Sequence, residues 1–185
     1  MIGAGNIGRT LGAKWAAAGH EVVYGVRSPG EPGTASVADA ASAAEIVVLA
    51  VPGAAAKDVL ASLGEELKGK VVVDATNDVQ GTGKLHALDE LTDGAHPVRA
   101  FNTLGWENFA DPVIGGETVD LFYAAEEGQA KDTAERLIAD VGLRPVWLGG
   151  VEAFELVDSL TQLWFTLALR QGLGRRLAFR LLVDD

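Results

Sequence analysis

The sequence predicts an α/β fold in which a mostly parallel sheet carries helices on both faces and is followed by a helical tail. Short apolar, β-branched runs alternate with stretches of helical period along most of the chain. Gly3, Gly5 and Gly8 have the G-x-G-x-x-G spacing that is typical of the first strand–helix turn of a doubly wound sheet. Hydrophobic residues make up 48% of the 185 residues, which is enough for a compact core. These observations together indicate a Rossmann-type fold.

The residues after the glycines favour a dinucleotide site over the alternative, a glycine-rich turn that only packs a helix on a strand. Apolar side chains recur at helical spacing at Ile7, Leu11, Trp15 and Ala18. Residues 21–26 are then apolar and β-branched, as expected for the second strand. The glycines therefore stand in the strand–turn–helix–strand context that a phosphate-binding turn requires.

The start of the chain departs from this pattern. Only Met1 and Ile2 precede Gly3, whereas a strand normally has about five residues. We expect either a gap in the centre of the sheet or a start assigned too late, and we favour the late start.

The remaining elements follow in the order of a parallel sheet. Strands are predicted over residues 35–37, 46–51, 71–75, 98–101, 121–125 and 144–148. Helices are predicted over residues 38–44, 54–67 and 129–141, and residues 28–33 form a turn-rich loop where a helix is usual. Residues 76–91 look mostly irregular, with some helix near residues 84–91.

The last part of the chain is predicted to be two helices hinged near Gly172 and Gly174. We therefore divide the chain into a nucleotide-binding domain, residues 1–150, and C-terminal helices, residues 151–185, which pack on it or form a dimer interface. Four large apolar residues follow a spacing of three and four, and we expect them to form a stripe at the seam of a two-fold dimer: Leu160, Leu163, Trp164 and Leu167. Core packing is the alternative for each of them.

Charge and composition exclude several classes of function. The net charge is −11, which argues against a nucleic-acid partner because phosphate binding needs clustered basic residues. The one basic cluster lies in the tail and is interpreted as the solvated face of a helix: Arg170, Arg175, Arg176 and Arg180. The chain has no cysteine, its three histidines have no metal-ligand spacing, and it shows no membrane span or signal peptide. We expect a cytoplasmic protein without a metal or a membrane partner.

The end of the second strand indicates which nucleotide is bound. An NAD-preferring site places an acidic residue there to bind the ribose hydroxyls. This chain has Arg27 and Ser28 instead, and a guanidinium with a hydroxyl suits the 2′-phosphate of NADP. The alternative is an ordinary surface arginine whose field Glu31 reduces.

Polar residues at the next strand ends are further candidates. Thr76 and Asn77 follow one strand, and Asn102 and Thr103 follow another, where the nicotinamide or a second substrate should lie. Turn formation explains the same residue types equally well. Asp74 and Asp78 resemble an acid/base pair, but a strand-end aspartate more often caps the backbone. No catalytic residue is identified, which fits hydride transfer, where the cofactor supplies the chemistry.

Several longer motifs resemble those of the NADP oxidoreductases that depend on coenzyme F420, and the reductase domains of six-transmembrane metalloreductases are similar. The motifs are the N-terminal glycines and the segments at residues 25–28, 100–105, 142–145, 171–174 and 178–179. The resemblance implies that the pyrophosphate is held by Gly3, Gly5, Asn6, Ile7 and Gly8. It also implies that Arg27 and Ser28 bind the 2′-phosphate, that Val51 and Pro52 line the cofactor, and that Asn102 and Thr103 lie near the nicotinamide.

We therefore expect an NADP(H)-dependent oxidoreductase that passes hydride to a small flat acceptor, coenzyme F420 first and a flavin second. An imine or hydroxy-acid reductase is one alternative, although only about 30 residues remain for its usual second domain. A non-catalytic NADP-binding sensor is the other.

Overall fold

The computed structural model describes residues 1–80 and 84–184 and has the predicted α/β architecture. The helices are α1 (Asn6–Ala17), α2 (Val37–Ala43), α3 (Gly53–Leu63), α4 (Trp106–Ala110), α5 (Gln129–Val141) and α6 (Phe154–Phe165). The strands are β1 (Tyr24–Gly25), β2 (Thr34–Ala35), β3 (Ile46–Leu49), β4 (Val71–Asp74), β5 (His96–Arg99), β6 (Val113–Ile114), β7 (Glu117–Thr118), β8 (Asp120–Ala125) and β9 (Arg144–Trp147). The sequence did not predict the short helix α4 or the small β6–β7 hairpin.

All strands except the β6–β7 hairpin belong to one mostly parallel sheet. Strands β3, β4 and β5 pair in parallel, β8 runs antiparallel to β5, and β9 is parallel to β8. Strands β1 and β2 form a second parallel pair. Ile2 connects the two groups, since it bridges Gly25 on one side and Leu49 on the other, both in parallel. The resulting strand order is that of a doubly wound sheet.

The central strand therefore consists of little more than Met1 and Ile2. The amide of Ile2 donates to the Val48 carbonyl at 2.7 Å, and the amide of Gly25 donates to the Met1 carbonyl at 2.7 Å. The Met1 amino group donates to the Val23 carbonyl at 2.9 Å, and burial lowers its pKa to about 6. A cavity of about 440 Å³ lies beside this short strand, at the end of the sheet away from the strand carboxyl ends.

The period-2 pattern of the strands divides the core between the two faces of the sheet. Val71 and Val73 of β4 pack on the side of α1, α4 and α5, whereas Val72 packs on the side of α2 and α3. Helix α5 begins and ends where the sequence predicted, since it covers residues 129–141. It buries six of its residues, among them Leu137 and Ile138.

Helix α6 passes the carboxyl ends of the strands and joins the two faces. Phe154 and Val157 in its first half pack with Ala124 and Leu88, whereas Trp164 in its last turn belongs to the α1–α4–α5 side of the core. The side chains of Asp158 and Thr161 lie between these contacts and are buried at the strand ends. This helix confirms the helical C-terminus that the sequence predicted.

The prediction of a second C-terminal helix is wrong. A π-helical turn covers Thr166–Arg170, and the described residues after it, 171–184, form neither helix nor strand. Gly172 and Gly174 adopt positive φ, 71° and 86°, which ends the helix. Residue 185, and the part of the irregular region at residues 81–83, lie outside the described residues.

Of the four tail arginines, only Arg170 is exposed on a helical turn as predicted; the other three lie beyond the helix and form ion pairs. Arg175 pairs with Glu107, Arg176 with Asp111, and Arg180 with Glu117. The amide of Leu181 donates to Asp120, so that the tail is held along the α4 and β6–β7 side of the domain. These partners are 61 to 68 residues away in sequence, which is why the pattern of basic residues alone did not indicate them.

The stripe predicted for a dimer seam is split between the two sides of α6. Trp164 is 2% exposed and its indole donates to the Leu177 carbonyl at 2.8 Å, so it belongs to the core of its own chain. Leu160 and Leu167 are half-buried, and Leu163 is exposed. Core packing, the alternative reading, holds for Trp164.

Candidate functional site

A cavity of about 500 Å³ opens at the carboxyl ends of β1 and β3, where an open parallel sheet binds its ligands. It combines residues from both sides of the central strand. Six predicted site residues line it: Gly3, Gly5, Arg27, Ser28, Val51 and Pro52. Helix α1 begins directly after Gly5, with Asn6 exposed in its first turn. Ile7 packs partly into the core, so only its backbone is free to face a ligand.

The structural reason for a glycine differs among positions 3, 5 and 8. A Cβ atom on Gly3 would lie 2.4 Å from the Ala50 carbonyl oxygen, and its φ of +102° disfavours other residues. A Cβ on Gly8 would lie 2.2 Å from the Gly3 carbonyl oxygen, so glycine lets α1 pack on the turn. A Cβ on Gly5 would meet nothing within 4 Å. Gly5 is therefore not required by packing, and its open side leaves room for a ligand to approach the backbone.

The N-terminus of α1 is electrostatically prepared for an anion. Gly5 supplies no side-chain cap, and the first turn contains no acidic residue. The first backbone N–H groups of a helix lack partners within the helix, and the helix dipole adds partial positive charge there. A phosphate group satisfies both.

Arg27 provides the second positive group of the cavity. Arg27 and Ser28 are exposed, and their side chains make no hydrogen bond or ion pair with the residues that the structure describes. Glu31 pairs instead with Arg9 at 3.2 Å, so it does not neutralise Arg27. A free guanidinium beside a free hydroxyl fits a phosphate monoester.

The other predicted site residues do not line this cavity. Thr76, Asn102 and Thr103 are 3%, 2% and 1% exposed, and Asn77 is half-buried. Both ends of the Asn77 amide have a partner, since its Oδ1 accepts from Arg99 at 3.1 Å and its Nδ2 donates to the Asn102 carbonyl at 2.9 Å. In contrast, Thr76 Oγ1, Asn102 Oδ1 and Thr103 Oγ1 are buried without a partner among the described residues. Buried polar atoms without partners are rare, so these oxygens are candidates for ligand contacts.

A buried ionic network behind these residues was missed by the sequence analysis. Arg99 is fully buried, and Asp158 Oδ1 accepts from its Nε at 2.8 Å and lies 2.7 Å from its Nη2. Its Nη1 donates to the carbonyls of Asp74 and Thr76 at 3.1 and 2.7 Å. Asp74 caps the backbone as predicted, because its carboxylate accepts from the amides of Thr76 and Ala87. The available signal was an arginine inside the predicted apolar strand at residues 98–101, where a buried acid is needed to compensate its charge.

Phe101 adds local backbone strain at the same strand end. Its φ is 62°, a left-handed conformation that disfavours non-glycine residues. The ring is held edge-on to Trp15 at 5.5 Å and to Phe109 at 5.7 Å. This packing fixes the turn that presents Asn102 and Thr103.

Two negative findings concern the part of the chain that the structure describes. It contains no cluster of three or more histidine or carboxylate side chains that could hold a metal ion. None of the helices within residues 1–80 and 84–184 combines the length and apolar character that crossing a bilayer requires.

The strand order of the sheet and the position of the cavity at the strand carboxyl ends are those of a Rossmann-type α/β protein. Residues 1–78 match the family described as NADP oxidoreductase coenzyme F420-dependent. The F420-dependent NADP reductase of Methanothermobacter marburgensis is 27% identical, over 91% of this chain and 90% of that protein. These matches confirm the resemblance that the sequence motifs indicated, and the chain is similar to the F420-dependent NADP reductases over most of its length.

Two further proteins agree with this relationship. A putative F420-dependent NADP reductase of Arthrobacter sp. FB24 has a crystal structure with a TM-score of 0.83 and 25% identity, and the match covers 98% of this chain and 97% of that one. The metalloreductase STEAP3 of Rattus norvegicus is 26% identical over 86% of this chain but only 35% of its own length. The first similarity extends the shared fold through α6 and the tail.

Proposed function

We propose that the protein is an NADP(H)-dependent oxidoreductase that transfers hydride between NADPH and a flat redox acceptor, coenzyme F420 first and a flavin second. The observation that carries the proposal is that one cavity contains both the N-terminus of α1 at Gly5 and Arg27, whose side chain has no partner among the described residues. These groups complement the pyrophosphate and the 2′-phosphate of NADP. The relatives named F420-dependent NADP reductase support the choice of acceptor.

Each end of the nucleotide has a proposed set of residues. The backbone at Gly3, Gly5, Asn6, Ile7 and Gly8 holds the pyrophosphate, while Arg27 and Ser28 hold the 2′-phosphate. Val51 and Pro52 form the apolar wall between β3 and α3, and both line the cavity. Thr76, Asn77, Asn102 and Thr103 belong to the nicotinamide end, where three of them leave a buried oxygen without a partner.

The reduced nicotinamide supplies the hydride, so the chain need not provide an acid or a base at the reacting carbon. Its role is to orient the nicotinamide and the acceptor and to exclude water from between them. The turn at Phe101 and the buried network of Arg99 suit that role, because they hold the residues at the carboxyl ends of the strands in place.

The choice of NADP over NAD is tested with Arg27→Ala. A charge-assisted hydrogen bond contributes about 1.5–3 kcal/mol, so NADPH affinity should fall by about 10- to 150-fold while NADH affinity changes little. Calorimetric titration of both nucleotides measures this difference. Arg136→Ala serves as the control, since it removes the same charge from an exposed position on α5. Equal losses for NADPH and NADH would remove Arg27 from the site.

Hydride transfer is tested by the absorbance of the reduced nicotinamide. The protein is mixed with NADPH and, in separate reactions, with coenzyme F420, FMN or an imine. Oxidation of NADPH that depends on F420 is expected. Tight NADPH binding without turnover of any acceptor would favour the sensor alternative instead.

A homodimer and a cytoplasmic location, which the sequence predicts, remain part of this proposal. The exposed apolar side of α6 supports an interface, since Leu156 and Leu163 are 53% and 46% exposed. Light scattering of the wild-type protein determines its oligomeric state.

A further inference from the structure

We propose that Thr161 of α6 is a positioning residue for Asn102: it orients the Asn102 amide so that Oδ1 is presented as an acceptor for the amide group of a bound nicotinamide. Asp158, one turn earlier on α6, supports the same asparagine through Arg99 and Asn77. This inference rests on the proposed function, because it assigns α6 a role at the nicotinamide end of that site.

The hydroxyl of Thr161 determines which way the Asn102 amide faces. Its oxygen lies 3.2 Å from the Val157 carbonyl and 3.4 Å from the Asn102 carbonyl, both of which can only accept its proton. A lone pair of the hydroxyl is then left for Asn102 Nδ2, which donates to it at 2.8 Å. With Nδ2 fixed in this way, Oδ1 is the free end of the amide.

The free end is buried without compensation. Asn102 is 2% exposed, Thr161 is fully buried, and Asn102 Oδ1 has no hydrogen-bond partner among the described residues. Burying an acceptor without a donor is unfavourable unless a ligand supplies one. A primary amide such as the nicotinamide carboxamide supplies an N–H donor of the required kind.

The backbone of Asn102 is held by a second connection to the same helix. Its carbonyl accepts from Asn77 Nδ2 at 2.9 Å, and Asn77 Oδ1 accepts from Arg99 at 3.1 Å. Arg99 is in turn held by Asp158 at 2.8 Å. Asp158 and Thr161 are three residues apart on one buried face of α6, so one helix fixes both the main chain and the side chain of Asn102.

The network is next to the nucleotide cavity. A Cβ atom on Gly53 would lie 2.4 Å from the Asn77 carbonyl oxygen and 2.4 Å from the Asp78 amide nitrogen. Gly53 directly follows Pro52, which lines the cavity. The backbone of residues 77–78 therefore packs closely against Gly53, directly beside the cavity wall.

The test is Thr161→Val, which keeps the shape of the side chain and removes the lone pair that orients Asn102. We expect kcat to fall about tenfold, the loss of one buried hydrogen bond, while the KM for NADPH stays within about twofold because the phosphate contacts are untouched. Thr161→Ser restores the hydroxyl and should return kcat to within about twofold of wild type. Thr166→Val is the matched control, since Thr166 makes the same helix-internal bond, at 2.9 Å to the Gln162 carbonyl, outside the network.

A second readout separates this inference from the proposed function. The fluorescence anisotropy of bound NADPH reports how firmly the reduced nicotinamide is held, and it needs no acceptor. We expect lower anisotropy at saturation in Thr161→Val than in wild type, Thr161→Ser or Thr166→Val. If Thr161→Val does not fold, Thr161→Ala replaces it in both measurements.

The outcomes are distinct. An inactive wild type whose NADPH anisotropy still depends on Thr161 refutes hydride transfer and supports the positioning role. The positioning role is overturned if Thr161→Val keeps the kcat and the anisotropy of the wild type. It is also overturned if Thr161→Ser and Thr166→Val lose as much kcat and anisotropy as Thr161→Val does.

Discussion

Protonation of the Met1 amino group is expected to destabilise a chain that starts at this residue. Burial lowers the pKa of the group to about 6 in the folded state, compared with an ordinary value of 8.0. Between these values the unfolded chain binds more protons than the folded one, so stability rises with pH. The penalty is complete below the folded pKa and absent above the unfolded pKa.

The expected size follows from the shift. A difference of two pKa units corresponds to about 2.7 kcal/mol in total, of which about 1.7 kcal/mol is lost between about pH 8.5 and about pH 6.5. For a domain of this size that loss lowers the melting temperature by about 3–7 °C. Burial also lowers the pKa of His86 from 6.5, and its effect adds mainly below that pH.

The assay is urea unfolding at several pH values with an N-acetylated chain as the matched control. Acetylation removes the charge but keeps an N–H group that can donate to the Val23 carbonyl. The acetylated chain should lose much less stability over this pH range. Equal pH dependence of the two chains would refute the reasoning.

An extension of about four apolar residues before Met1 separates a second effect from the charge. Such residues can continue the central strand into the adjacent cavity of about 440 Å³. Burial of their side chains offsets the cost of ordering them, so we expect the extended chain to melt above the acetylated one. No gain over the acetylated chain would contradict the expectation of a longer first strand.

Two further predictions concern the glycine turn and α6. Gly5→Ala should change stability by no more than about 0.5 kcal/mol, because the added Cβ meets no protein atom within 4 Å. The same Cβ occupies the side from which a phosphate approaches the backbone, so NADPH binding should weaken at least about tenfold. Gly8→Ala should instead cost about 1–3 kcal/mol of stability, because its Cβ clashes with the Gly3 carbonyl; the reverse pattern in melting and titration experiments would refute the assignment. Trp164→Ala should cost about 3–5 kcal/mol in urea unfolding and expose the tail to proteases, since the indole is buried and holds the Leu177 carbonyl. Leu163→Ala, at an exposed position of the same helix, is the control and should change stability by less than about 0.5 kcal/mol; similar losses in the two variants would contradict the observed packing.

Local patterns were sufficient to predict most of the sheet and its helices. Helix α5 has a strong apolar period and is followed by Gly142 in the left-handed conformation, so both the period and the end signal lie within the segment. The residues after Arg170 show why the tail was misread. Their leucines and arginines are good helix formers, but Gly172 and Gly174 end the helix, and ion pairs with distant residues hold the irregular segment that follows.

Sequence patterns indicated the residues at the strand ends of the candidate site, but not the buried groups that hold them in place. Gly3, Gly5 and Gly8 form a local pattern whose spacing carries its own physical reason. The contact between Arg99 and Asp158 spans 59 residues, as does that between Asn102 and Thr161. No pattern within either segment indicates such a contact, and only the unusual position of a charged residue next to apolar strand residues pointed to a buried partner.

The short central strand has a consequence for how a nucleotide affects the whole protein. The β1–β2 pair is joined to the rest of the sheet largely through the backbone bonds of Met1, Ile2 and Gly3. The cavity lies across this joint, with Arg27 on one side and Val51 on the other. A ligand that contacts residues on both sides is expected to stabilise the folded arrangement of these strands, by an amount that grows with the logarithm of its concentration.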